Sequence, residues 1–227
     1  MMRLLLLEDR VVRQQNFIKE LGDDLFKKYN AVLDNKTGNE FEAIKRAFSI
    51  KDFSCLESYD GIIVHRSAFN KDVKVSIFEH CKVLHKPLVY FSGGISSISL
   101  DESMGFPFLT INSKDFYSNS LVAFLSNLTE NSEINLGSLA FGSDWELNLL
   151  LSLRQRISFD GILETTANRC DVSEIQSKYQ IQNGYIMSLL ERNLSWFREG
   201  EIIDNPVDRI SEIKSVVQSE INNKIIF

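Results

Sequence analysis

The stretch Arg3-Leu4-Leu5-Leu6-Leu7-Glu8-Asp9 decides the fold. Four consecutive leucines predict a short strand buried on both faces, because a strand with one wet face alternates apolar and polar side chains. A second run of this kind, Asp60-Gly61-Ile62-Ile63-Val64, ends at His65. Working outward, Val11, Val12, Phe17, Ile18 and Leu21 fall at helical spacing, and Ala31-Val32-Leu33 predicts a strand before the turn-rich Asp34-Asn35-Lys36-Thr37-Gly38. Phe41, Ile44, Ala47 and Phe48 resume a helix. Another helix runs from Val73 to Leu84, with Val75, Phe78 and Val83 among its apolar positions. Leu88-Val89-Tyr90-Phe91 and Phe106-Pro107-Phe108-Leu109-Thr110-Ile111 are the fourth and fifth strands, and Phe116 to Leu128 is the closing helix.

Strands alternating with helices, each apolar enough to be buried on both faces, imply an α/β fold with a five-stranded parallel sheet and right-handed crossovers. The expected strand order is flavodoxin-like, 2-1-3-4-5, which places any site at the carboxyl ends of strands 1, 3 and 4. The segment from Thr129 to Leu136 is polar, so the first domain is expected to span 1–130. Beyond it strand signals fade. Trp145, Leu149, Leu150 and Leu153, then Ile186, Leu189, Leu190 and Leu194, then Ile210, Ile213, Val217 and Ile221, all fall at helical spacing. The expectation for 131–227 is an all-α domain of about four to six helices.

Composition narrows the function classes. The chain has 227 residues, 44% hydrophobic and 25% charged, which suits one large globular domain or two small ones. Residues 1–130 carry 16 Lys and Arg against 17 Asp and Glu, net −1, and 131–227 carry 9 against 14, net −5, for a total of −6. Neither half has the basic excess of a domain that neutralises many phosphates. Without an apolar run long enough to span a bilayer or a signal-peptide pattern, the expected location is cytoplasmic, with no membrane partner. Cys55, Cys81 and Cys170 are too few and too widely spaced for a disulfide framework or a CxxC metal site and are expected to be free thiols. Phosphate-binding glycine motifs, GxSxG and HExxH are absent; Gly93-Gly94 suits a tight turn, and His80, Cys81 and His85 lack zinc-site spacing.

The first 130 residues resemble a response-regulator receiver domain. Arg3 to Asp9 looks like its first strand and acidic pair, Gly38-Asn39-Glu40-Phe41-Glu42-Ala43-Ile44 like the start of its second helix, and Tyr59 to Val64 like its third strand. Pro87-Leu88-Val89-Tyr90-Phe91-Ser92-Gly93 is similar to the fourth strand with its terminal hydroxyl, Ser92. In this register the phosphoacceptor position is His65, so the resemblance implies a pseudo-receiver that cannot form an aspartyl phosphate. The nearest lysine after strand five is Lys114, and the serine-rich stretch from Ile95 to Met104 predicts a short, irregular or absent fourth helix. Glu8, Asp9, His65, Arg66, Ser67 and Ser92 are the candidate pocket for a small ligand, with a small anion or a metal as the candidate occupant for Glu8, Asp9, His65 and Ser92. The competing explanation is that Glu8-Asp9 caps the first helix and His65 is a loop histidine.

In the second half, Val172 to Leu190 resembles a helix-turn-helix in its apolar spacing, with Ile175, Tyr179, Ile181, Ile186 and Leu189 as contacts, and the motif bounded at 172–192. Gln176 stands where a small residue is usual and Gln180 where glycine is usual. Lys178, Gln182, Asn183, Tyr185 and Arg192 are the candidate DNA contacts. Trp145, Trp196 and Phe197 are either core or partner anchors. The leading expectation is a non-enzymatic signalling adaptor that binds a protein partner or a second copy of itself, with no cofactor. DNA-binding regulation and a flavodoxin-like ligand sensor or enzyme are the alternatives.

Overall fold

The computed structural model describes residues 1–10, 12, 26, 28–102, 106–131, 134–159, 169–181, 183–198 and 200–225. The chain divides into two compact units, Met1–Ser143 and Asp144–Phe227. The expected helix around Val11, Phe17, Ile18 and Leu21 lies outside the described residues, apart from Val12, which is helical and exposed.

The first unit is α/β. Its strands are β1 (Met2–Leu7), β2 (Ala31–Lys36), β3 (Gly61–His65), β4 (Leu88–Ser92), β5 (Ser99–Asp101) and β6 (Phe108–Asn112), and they form one sheet in the order β2-β1-β3-β4-β6-β5. The first five strands in that order are parallel, so the predicted 2-1-3-4-5 arrangement is present, compatible with a flavodoxin-like fold. Two details depart from the sequence reading. The sheet has six strands, because β5, in the stretch where a short, irregular or absent fourth helix was expected, pairs antiparallel with β6 through Leu100 and Leu109. Asp34-Asn35-Lys36, expected as a turn, continues β2, because β1 pairs with β2 from Met2↔Ala31 to Leu7↔Lys36.

The leucine run explains itself in the packing. Leu4 and Leu6 enter one core with Ile63, Val89, Phe91, Leu109 and Ile111, while Leu5 and Leu7 enter a second with Ile62, Val64, Leu88 and Tyr90. Both faces of the sheet are therefore dry, as a central parallel strand requires. The second core is covered by α1 (Gly38–Ser49) through Phe41 and Phe48, and by α2 (Lys71–Val83) through Ile77 and Cys81. The first is covered by α4 (Asn119–Asn131), which follows the single turn α3 (Ser113–Phe116), and by α5 (Leu136–Phe141). Leu136, Leu139 and Ala140 are buried there, which carries the unit past the expected boundary at 130. Gly61 accommodates this close layering: a Cβ there would stand 2.8 Å from Ile134 Cδ1 and 3.0 Å from Leu4 Cδ2.

The second unit contains α6 (Trp145–Phe159), β7 (Arg169–Asp171), α7 (Val172–Tyr179), α8 (Gly184–Asn193), β8 (Ile202–Asp204) and α9 (Pro206–Ile225). It is not all-α, because β7 and β8 form an antiparallel pair in which Cys170 lies opposite Ile203. Three-residue strands leave too short an alternation to stand out in the sequence. Its core draws Leu150, Leu153, Ile157, Ile175, Tyr179, Leu190, Phe197, Ile213 and Val217 together. Trp145 and Phe197 are buried and Trp196 is half-buried, its indole N–H donating to Glu212 at 2.6 Å, so these aromatics serve packing. Among the described residues no helix is long and apolar enough to cross a membrane.

Candidate functional site

The register of β1 and β3 builds the first site. Leu7 pairs with Val64, so Glu8 and His65 emerge side by side at the carboxyl ends of neighbouring parallel strands. Both follow the alternation that sends Leu6 and Ile63 into the first core, and both are buried, Glu8 at 0% and His65 at 1% exposure. The His65 ring packs 5.3 Å from Phe91. Its Nδ1 lies 2.5 Å from Asp9 Oδ1 and 3.1 Å from Glu8 Oε1. Its Nε2 lies 3.0 Å from Ser67 Oγ, which is in turn 3.3 Å from Ser92 Oγ. Ser67 stands on the 3-10 turn Arg66–Ala68 that follows β3, and Ser92 ends β4.

Five of the six residues singled out for this pocket are thus joined in one chain of contacts: Asp9, Glu8, His65, Ser67 and Ser92. Arg66 is exposed on the same turn and acts elsewhere: burial pushes the Tyr90 hydroxyl up on the second-core side, and the Arg66 charge offsets this only in part. Two further groups complete the site. The Arg10 backbone N–H donates to Glu8 Oε1 at 3.1 Å, and the Tyr117 hydroxyl donates to Glu8 Oε2 at 3.2 Å. Nothing in the local sequence marks Tyr117, because it reaches Glu8 through the way β6 and α3 close over the sheet.

The two acids respond oppositely. Burial pushes the Glu8 carboxyl up, against the His65 charge and the Arg10 N–H. Burial also works against ionisation of Asp9, but hydrogen bonds from His65 and Glu8, with the His65 charge, outweigh it and hold Asp9 below the usual range. The two carboxyls are thus pushed apart: burial raises Glu8, while its neighbours hold down Asp9, beside the imidazole. The chemistry differs from that of three converging carboxylates: His65 supplies no carboxylate to take a phosphoryl group and offers nitrogen in place of the hard oxygen that Mg²⁺ prefers. Lys114 is exposed at the start of α3, beside Asn112, whose side-chain amide donates to the Ile95 carbonyl at 2.7 Å.

No protein-family model, curated protein or solved structure matches the chain.

The second candidate site is built on α7 and α8. Asp171 and Glu174 cap α7 reciprocally, and the helix ends at Gln180 in the left-handed conformation, φ 52° and ψ 45°. Glutamine thus occupies the backbone state that glycine favours at such a turn. Asn183 caps α8 by accepting the Tyr185 N–H at 3.0 Å. Ile175, Tyr179, Ile181, Ile186 and Leu189 are all buried. Gln176 fits between the helices by laying its amide Nε2 3.6 Å from the Met187 sulfur.

Of the proposed DNA contacts, Lys178 and Arg192 are exposed, the latter with Nε on the Ser188 carbonyl at 3.1 Å. Asn183 is buried as a cap. Tyr185 is half-buried, its ring 5.5 Å from Trp145 and its hydroxyl donating to Glu220 at 3.1 Å. Gln182 lies outside the described residues. His80, Cys81 and His85 form no cluster: the His80 ring packs on Phe53 at 5.6 Å, and Cys81 is buried with its thiol pushed up to about 12 by burial. Among the described residues, the one group of three or more His, Cys, Asp or Glu side chains with metal-ligand proximity is Glu8, Asp9 and His65.

Proposed function

We propose that the chain is a non-enzymatic, cytoplasmic regulatory adaptor whose first unit is a pseudo-receiver, acting through binding of a protein partner or a second copy and independent of aspartyl phosphorylation. The observation that carries this reading is the position of His65. Its Nδ1 bridges the acidic pair at the carboxyl end of β3, where a phosphoacceptor carboxylate would be needed. The imidazole ties up both acids, and the parallel strand order supports the receiver comparison. Fold alone does not confer an activity, so the argument rests on this site. Incubation of the full chain with acetyl phosphate and MgCl2 should leave its intact mass unchanged. Light scattering or affinity capture should return a homodimer or one specific protein partner. A stable phosphoryl mass gain mapping to the first unit would overturn the reading.

A second reading, DNA binding through 172–192, is favoured by one specific observation. Gln180 takes the left-handed conformation at the turn while all five expected apolar contacts are buried. Charge argues against it: residues 144–227 carry 9 Lys and Arg against 13 Asp and Glu, net −4. Two of the candidate contacts, Asn183 and Tyr185, already serve the unit's own structure. In anisotropy titrations with duplex DNA, this reading requires affinity that falls with salt and weakens in Lys178→Ala or Arg192→Ala. Binding that is undetectable at low salt eliminates it.

A further inference from the structure

We propose that Glu8, Asp9 and His65 form a site for a divalent first-row transition ion, one that binds Zn²⁺ more tightly than Mn²⁺ and Mg²⁺ only poorly. The inference rests on reading this pocket as the regulatory input of the first unit: an ion that accepts nitrogen takes the place left by phosphorylation chemistry.

The donor set comes first. Asp9 Oδ1, Glu8 Oε1 and His65 Nδ1 converge, with all three ligand atoms within 4.8 Å of one another. An ion about 2.0–2.2 Å from each donor holds them about 3.4 Å apart in a tetrahedral arrangement. The His65 to Glu8 distance of 3.1 Å is already close to that, and the His65 to Asp9 distance of 2.5 Å must open by about 1 Å. Asp9 is the exposed member of the set, 38% accessible on the bend after β1 and so the one with room to shift, whereas Glu8 and His65 are buried. An ion would enter from the exposed side of Asp9, where a water would serve as fourth ligand.

The supporting shell is in place before any ion arrives. A histidine that binds metal through one nitrogen is oriented by a hydrogen bond from the other. Here Nε2 faces Ser67 Oγ at 3.0 Å, and Ser92 supports that hydroxyl at 3.3 Å. Glu8 is held at both oxygens, by Tyr117 and by the Arg10 N–H. Nδ1 is therefore the nitrogen aimed at the carboxylates. One nitrogen and two carboxylate oxygens favour Zn²⁺ over Mn²⁺, and both over Mg²⁺, which prefers oxygen ligands and sheds its waters reluctantly.

The test is a titration of the metal-stripped full chain with ZnCl2, MnCl2 and MgCl2, followed by calorimetry and by chelator competition. We expect one Zn²⁺ per chain, bound at least about a hundredfold more tightly than Mg²⁺. His65→Ala should abolish that binding. Ser67→Ala, an exposed position on the turn, should weaken it about tenfold while leaving the fold intact, and keeps the test valid if His65→Ala fails to fold. His85→Ala and Cys55→Ser should change nothing. The inference is overturned if no saturable Zn²⁺ binding occurs, if binding survives loss of His65 or is indifferent to Ser67, or if Mg²⁺ binds equally well. Absence of Zn²⁺ binding with no phosphoryl transfer removes this inference alone, whereas phosphoryl transfer from acetyl phosphate removes the pseudo-receiver reading itself.

Discussion

Asp34 lies on the edge strand β2, where Tyr59 donates its hydroxyl to it and Lys36 pairs with it at 2.9 Å. Partial burial works against ionisation of this carboxyl, but the Tyr59 hydroxyl, the Lys36 ammonium and the Arg3 charge prevail and hold it below its ordinary 3.8. The same contact, together with burial, pushes the Tyr59 hydroxyl up to about 12. A carboxyl whose folded value is depressed stabilises the fold above its unfolded value, and that contribution is lost as pH falls through the folded one. Asp34→Asn should therefore lower the urea midpoint near neutrality, and the difference from the parent should vanish as the pH drops toward about 2. The end of an apolar run put His65 at the carboxyl end of its strand in the sequence, but a loop histidine remained the competing explanation there; the pairing of β1 with β3 is what fixes its depth and its side. Tyr117 was not readable, because its bond to Glu8 spans 109 residues and depends on closure of the whole sheet.

At the level of elements, apolar periodicity located the five parallel strands but not every helix face. In α2 the buried positions are Ile77 and Cys81, whereas Val75 and Val83, read as apolar face positions, point outward. The helix carries several β-branched residues, and only its fit against Phe53 and Tyr90 in the second core decides which of them turn inward. The strands β5, β7 and β8 escaped for a related reason: each has three residues and is defined by its partner, not by an alternation of its own. The turn between α7 and α8 gives the clearest test at this scale. Gln180 bears the steric cost of a left-handed backbone that glycine avoids, about 1 kcal/mol. Gln180→Gly should raise the stability of the second unit by up to about 0.5 kcal/mol, after the roughly 0.5–1 kcal/mol that glycine's extra freedom in the unfolded chain takes back. A thermal or urea unfolding curve reads this directly, and an unchanged or lower midpoint would mean that another contact of the glutamine side chain offsets the strain.

For the whole molecule, the boundary is the feature most open to experiment. A fragment of residues 1–143 should unfold in a single cooperative transition, because α5 completes the cover over the first core. A fragment of residues 1–130 lacks Leu136 and Leu139, each of which contributes about 1.5–3 kcal/mol when fully buried. It should lose several kcal/mol, broaden its unfolding transition and bind a hydrophobic dye. Equal stability of the two fragments would show that α5 is dispensable. The polar stretch near 130 suggested an earlier boundary because a loop and a domain linker have the same composition. What distinguishes them is the apolar face of the short helix that follows. The alternation of Leu4 to Leu7 between two cores has a consequence for how the first unit fails. One strand belongs to both hydrophobic layers, so neither layer can melt and leave the other standing. Damage on either side of the sheet is transmitted through the backbone of β1, so loss of one layer should open the other to a protease as well.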